Sequence, residues 1–337
     1  MTAQTRSAGR APWITRQLRD LSQRQGHAWL IHGPSGLGQF ELGLELARSW
    51  LCESPAPAVA CGSCASCHQV DAKAHLDLLV LLPEVLALEL GWPLDEKAQS
   101  EIDSKKRKPS REIKVEAARV MIDFAQLTRS GKRCKVVLVF PAERMNHVTA
   151  NTILKTLEEP AGETRFVLCS EASHLLLPTI RSRCQQFAQH WPGEDEGAQW
   201  LATQGMGASE AGRLLKFAGG RPDLALRYAA SGRSADQWQS LPKAVASGQV
   251  GAFDGWSLAD TVDALQKICH DSMALSVGAV PRYFPPDALL KRPSMVELGR
   301  WSKALQASAR VVEHPLNGGL MTEALVWEAK RALNSVA

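Results

Sequence analysis

HGPSGLGQF, residues 32–40, is one lysine and one hydroxyl short of a phosphate-binding loop. In the pattern G-x-x-x-x-G-K-[ST] the lysine neutralises phosphate and the hydroxyl holds Mg²⁺. Gly33 and Gly38 take the two glycine places, but Gln39 stands where the lysine belongs and Phe40 where the hydroxyl belongs. The flanks fit the loop. Ala28-Trp29-Leu30-Ile31 is an apolar run of strand length, and Leu42, Leu46, Ala47 and Trp50 recur at helical spacing over Glu41 to Leu51. Strand, glycine loop and helix together predict the loop's backbone without its charge chemistry.

A second apolar strand, Lys135 to Phe140, leads into Pro141-Ala142-Glu143. Nucleotide hydrolases place acids for Mg²⁺ and water at such a strand end. Here Pro141 and Ala142 hold those places, and Glu143 is displaced by at least one residue. An active P-loop ATPase or another P-loop nucleotide-binding enzyme, the alternative reading, would need the lysine and the acids.

Cys52, Cys61, Cys64 and Cys67 form C-x8-C-x2-C-x2-C. Thiolates at this spacing can close on one tetrahedral metal, and four of them complete a structural Zn²⁺ site. Cys64-Ala65-Ser66-Cys67-His68 also matches the haem attachment pattern, and the triple run matches part of a ferredoxin pattern. The haem reading leaves Cys52 and Cys61 unexplained, and the ferredoxin reading lacks its Cys-Pro, so the spacing favours zinc. Cys134, Cys169, Cys184 and Cys269 are scattered and read as buried apolar thiols.

Composition sets the outer bounds. The chain has 337 residues, 45% of them hydrophobic and 22% charged, with a formal net charge of +4, as in ordinary globular proteins of two or three domains. The first residues, up to Trp13, carry no apolar core, so no secretory signal is expected. No apolar run approaches the length of a membrane span. With eight cysteines the expectation is reduced thiols or metal ligands in the cytoplasm. The ten tryptophans are dispersed and suggest no stacking platform. Ile102 to Arg111, IDSKKRKPSR, is a basic run in an insertion after an expected strand Leu76–Leu82. It reads as a solvated loop, or as a phosphate contact through Lys105 to Lys108.

Downstream, Asn146 is placed to cap a helix through Asn151-Thr152-Ile153-Leu154-Lys155-Thr156-Leu157-Glu158-Glu159, which Pro160 stops. Arg165 to Ser170 reads as a buried strand, and Leu175 to Arg183 leads into TIRSRCQQF.

HGPSGLGQ, the four cysteines, NTILKTLEEP and TIRSRC, in this order, resemble the delta-prime family of bacterial DNA polymerase III clamp-loader subunits. The resemblance is specific over residues 25–190 and general beyond. It implies an α/β fold of AAA+ type: a P-loop-like domain with a parallel sheet and an inserted zinc module at residues 52–67, spanning 1–189. A helical lid at 190–232 and an all-helical collar at 233–337, serving oligomerisation, would follow. It implies a subunit that binds and hydrolyses no ATP, works as a stator in the loader ring, and assembles with gamma/tau ATPase and delta subunits. Contact with primer–template DNA would come through the complex, and contact with the sliding clamp would be indirect or weak. The family's Ser-Arg-Cys motif falls on Ser182, Arg183 and Cys184, which makes Arg183, expected after a helix and close to the end of the strand Phe166–Ser170, the arginine that reaches a neighbour's ATP site. The zinc cysteines fall on Cys52, Cys61, Cys64 and Cys67. The lid arginine of active relatives falls on Pro222, with Arg221 adjacent.

Overall fold

The computed structural model describes residues 11–54, 59–289, 293–312 and 317–335. Residues 1–10, within the stretch that carries no apolar core, and residues 55–58 of the cysteine insertion lie outside the described residues. The chain divides into two compact units, Met1–Glu196 and Gly197–Ala337.

Along the first unit run α1 (Pro12–Ser22), β1 (Ala28–His32), α2 (Gln39–Leu51), α3 (Ala65–Asp71), β2 (Leu78–Leu81), α4 (Glu84–Leu90), α5 (Glu96–Asp103), α6 (Val115–Gln126), β3 (Lys135–Val139), α7 (His147–Thr152), α8 (Leu154–Glu158), β4 (Thr164–Ser170), α9 (Pro178–Arg181) and β5 (Gln185–Ala188). The five strands are all parallel, in the order β2-β3-β4-β1-β5. Helices cover both faces of a parallel sheet, so its inner strands read as continuous apolar runs. Every residue of β3 is buried, as are six of the seven in β4. The expected strand Leu76–Leu82 shortens to β2, and Leu76 is exposed.

α2 lies close on the sheet because Gly43 lets it. A Cβ there would fall 2.4 Å from the Cys169 sulfur and 2.9 Å from Leu138 Cδ1. Leu42, Leu46, Ala47 and Leu51 bury the rest of that face. The expected helix after Asn146 forms in two pieces, α7 and α8, broken at Ile153, with the Asn146 side chain accepting the Thr149 N–H at 2.8 Å.

The division between the units falls within α10 (Glu194–Thr203). The second unit continues with α11 (Ala208–Phe217), α12 (Pro222–Ala230), α13 (Ala235–Ser247), α14 (Leu258–Ser276), α15 (Met295–Ala309) and α16 (Gly318–Leu333). One apolar core runs through it from Leu201 to Leu333. Trp238 is at its centre, with ring centroids 4.6 Å from Tyr228, 5.2 Å from Trp256 and 5.9 Å from Phe217. Val262, Leu265, Ile268 and Cys269 bury the face of α14 that their spacing predicts. The fully buried carboxylate of Asp271 accepts the backbone N–H groups of Arg282, Tyr283 and Phe284, which pins the loop after α14.

α14 also buries a lysine. Lys267 donates to Tyr228 Oη at 2.6 Å and to Asp263 Oδ2 at 2.5 Å, and its ammonium lies over the rings of Tyr228, Trp238 and Tyr283. Burial pushes its pKa down to about 8, with Asp263 opposing and the charges of Arg221 and Asp260 acting from nearby. The unfolded chain therefore binds more protons than the folded one between about pH 8 and the ordinary lysine value. Stability rises with pH across that window, by up to about 3 kcal/mol for a shift of this size. Thermal melts at pH 7.5 and 9.5 check this: the rise expected in wild type is absent in Lys267→Met.

Candidate functional site

β1 delivers the chain to the glycine loop at its C-terminal end, the edge where open parallel sheets bind ligands. Gly36 and Gly38 have φ of 84° and 82°, left-handed conformations that an L side chain resists, and Gly38 caps α2. The loop backbone expected from the sequence is formed.

Its interior is taken by the chain's own side chains. Gln39 is 2% exposed, and its amide donates to the carbonyls of Gly33 at 2.9 Å and Pro34 at 2.6 Å. Gln189, just past β5, donates to the Leu37 carbonyl at 2.8 Å, and the Trp13 indole N–H reaches the same oxygen. Phe40 packs against Phe140 at 5.4 Å and edge-on to Trp92 at 6.4 Å. An aromatic cluster thus occupies the place of a Mg²⁺-binding hydroxyl. Burial, then the charge of Arg181, lowers the pKa of His32 at the loop's entrance, favouring a neutral ring.

Beyond β3, Ala142 is fully buried in the core. Glu143, the displaced acid, accepts the Glu171 backbone N–H at 3.0 Å and so ties the chain after β3 to the chain after β4.

The Ser-Arg-Cys segment follows α9. Reading along the chain alone puts Arg183 close to the end of the strand Phe166–Ser170. The register corrects this. Trp29 pairs with both Val167 and Gln185, so Arg183, two residues before Gln185, lies at the level where β4 begins. α9 carries the chain back across the sheet, because every parallel strand must start at the same edge. There Arg183 pairs with Glu158 at 2.5 Å and donates to the Thr179 carbonyl at 2.9 Å. Its side chain is 28% exposed and that of Glu158 48%. The Ser182 hydroxyl bonds locally to the Thr179 carbonyl. Cys184 belongs to the apolar core, and burial pushes its thiol up to about 12, so its contribution to the motif is packing. Cys134, Cys169 and Cys269 are buried as expected.

Cys52, Cys61, Cys64 and Cys67 come together, all four sulfurs within 4.8 Å of one another. Cys52 and Cys64 are 3.9 Å apart and Cys61 and Cys67 4.0 Å apart. Thiolates on one tetrahedral Zn²⁺ stand about 3.8 Å apart, given the usual Zn–S length. Backbone N–H groups already point at two of the sulfurs, Cys61 N–H at Cys52 and Cys67 N–H at Cys64. The backbone N–H of Ser63 and its hydroxyl draw the Cys61 thiol down to about 6, whereas burial pushes Cys67 up to about 12. The donor set and the spacing fit a metal ion such as zinc. The cluster is a satellite with a small apolar interior of its own, Cys52, Ala60, Cys64 and Cys67.

Two further expectations concern charge. Arg107, inside the basic run, is committed internally. It forks onto Glu84, bonds Glu101 at 2.8 Å, and holds Glu84 below the usual carboxylate range. Pro222 opens α12, and Arg221 before it turns its Nε to the Ala218 carbonyl. Among the residues that sequence reasoning missed are Gln189 and Trp92 at the glycine loop, Glu158 beside Arg183, and Arg48, which meets Asp71 at the end of the helix that carries Cys67. Nothing local marks Trp92. Arg48 stands one helical turn before Cys52, a spacing that could have drawn notice.

A family model described as DNA polymerase III, delta subunit, matches residues 14–190. The chain is 36% identical to the DNA polymerase III delta-prime subunit of Pseudomonas aeruginosa over 66% of its length and 29% identical to that of Escherichia coli over 68%. The matched part spans 62% of the length of each of these relatives. Among solved structures, a DNA polymerase III gamma subunit-related protein from Thermotoga maritima superposes with a TM-score of 0.52, covering 96% of this chain and 100% of the other at 18% identity. At that identity the likeness is one of fold. No helix among the described residues is long and apolar enough to cross a membrane.

Proposed function

The chain belongs to the delta-prime family of DNA polymerase III subunits, and from that premise we propose that it is a clamp-loader stator that neither binds nor hydrolyses ATP. One observation carries this reading: the lysine place is held by Gln39, bonded to the Gly33 and Pro34 carbonyls, and the hydroxyl place by Phe40, packed on Phe140 and Trp92. A nucleotide would have to break two amide hydrogen bonds and open an aromatic cluster. It would gain no lysine and no metal ligand in return.

In this reading the subunit completes a ring with gamma/tau ATPase and delta subunits and lends Arg183 to a neighbour's ATP site, so that a sliding clamp is loaded on primed DNA in the cytoplasm. Residues 1–189 form the P-loop-like body, 190–232 a lid and 233–337 a collar, the last two sharing one core. Zn²⁺ is the resident metal of the cysteine cluster, with a structural role only. Lys105, Lys106 and Lys108 are the part of the basic run left for a phosphate contact, since Arg107 is spent on Glu84 and Glu101.

Calorimetric titration of the pure protein with Mg–ATP tests the stator reading, and no heat of binding is expected at micromolar concentrations. Gln39→Lys is expected to stay silent as well, because Phe40 and the missing acids remain. A micromolar dissociation constant in wild type contradicts the reading.

A further inference from the structure

We infer that Arg48 is a positioning residue of the cysteine site, the outer cation that offsets the site's negative charge and joins it to the helix of the glycine loop. The inference rests on the four cysteines holding Zn²⁺. Four thiolates around a divalent cation leave a doubly negative cluster, and on its buried side, at Cys52 and Cys67, that charge calls for a fixed positive group close by.

Arg48 is placed for that task. It lies in the last turn of α2, and its carbonyl accepts the N–H of Cys52, the first ligand. Its side chain is 12% exposed. Nη2 meets Asp71 Oδ2 at 2.7 Å, at the end of the helix that carries Cys67, and Nη1 lies 3.5 Å from Glu45. Nη2 also stands 4.0 Å from where a Cβ on Gly62 would sit, inside the Cys61–Cys64 turn. Arg48 therefore spans α2, α3 and the turn between the ligands. A planar guanidinium suits this, since its fork of donors can serve more than one group at once.

Two roles predict different outcomes. If Arg48 only braces α2 on α3, Asp71 matters as much as Arg48. If it offsets the charge of the cluster, Asp71 competes with the sulfur for the same cation, and removing its charge strengthens the metal's hold.

The experiment measures Zn²⁺ transfer from the full chain to a chromophoric chelator, with the thiolate-to-metal charge-transfer band of the Co²⁺-substituted protein as a second readout. Wild-type metal content is determined first. A metal-free wild type would overturn the zinc reading itself and the role of Arg48 with it. With zinc present, Arg48→Ala is expected to weaken metal binding by roughly 10–100-fold, as lost outer partners do, and to shift the Co²⁺ band. Arg48→Lys recovers most of that loss, and Asp71→Asn holds Zn²⁺ as tightly as wild type or more tightly. Arg48→Ala within about twofold of wild type overturns the inference, as does an Asp71→Asn loss equal to that of Arg48→Ala. Should Arg48→Ala fail to fold, Asp71→Asn decides: Zn²⁺ affinity equal to wild type or tighter upholds the inference, and a weaker hold overturns it.

Discussion

On the proposed stator reading, Arg183→Ala, assembled into a reconstituted clamp loader, is expected to slow ATP hydrolysis by roughly 10³–10⁵-fold at the motor site to which that reading lends Arg183, the range by which arginine fingers act where hydrolysis depends on them. Clamp loading falls with it, while folding and assembly stay intact. The structure adds a condition. Arg183 is paired with Glu158, and a finger must leave that partner to reach a neighbour's phosphate. The cost is small, because half-exposed ion pairs contribute only about 0–1 kcal/mol. A phosphoryl group gathering charge in a drier site outbids a solvated carboxylate. Glu158→Gln therefore leaves hydrolysis at the wild-type rate or faster. Arg183→Lys rescues poorly, since a point charge on a flexible stem lacks the guanidinium fork. Equal hydrolysis and loading rates for wild type and Arg183→Ala, with assembly verified, would remove the finger from the mechanism and leave Arg183 as a surface ion pair.

Cys64→Ala carries the second large effect. The purified wild-type chain is expected to hold about one Zn²⁺, and the variant close to none. Structural zinc contributes on the order of 10 kcal/mol of apparent binding free energy in isolated fingers. Here that energy supports a module with almost no core of its own. The loss is local: amides around Cys61 to Asp71 exchange at least about a hundredfold faster, while those of β3 and β4 keep their protection. Cys269→Ala is the contrast. Its thiol is buried beside the Leu298 carbonyl in the core of the second unit, and removing one sulfur there costs about 1 kcal/mol without touching the metal. Iron in place of zinc, or no metal in a preparation free of chelators, would overturn the assignment.

The sequence by itself determined the parts of this protein that are written along the chain. β1, β3 and β4 are legible because a strand buried on both faces must be apolar at nearly every position. The loop is legible because left-handed turns call for glycine at set spacing, and the metal candidates because a tetrahedral site constrains the gaps between its ligands. β5 was not legible. Its residues, Gln185-Gln186-Phe187-Ala188, lie on the sheet's edge with one side chain buried, so no apolar run announces it.

What only the tertiary structure decided are pairings between residues distant in sequence. Phe40, Trp92 and Phe140 converge beside the glycine loop, Glu158 meets Arg183, Glu84 takes Arg107 out of the basic run, and Arg48 meets Asp71 beside the cysteine turn. Backbone periodicity and motif spacing are local and leave a one-dimensional trace. Which side chains meet across the fold depends on strand order, register and the direction in which each helix returns, and none of these has a local signature.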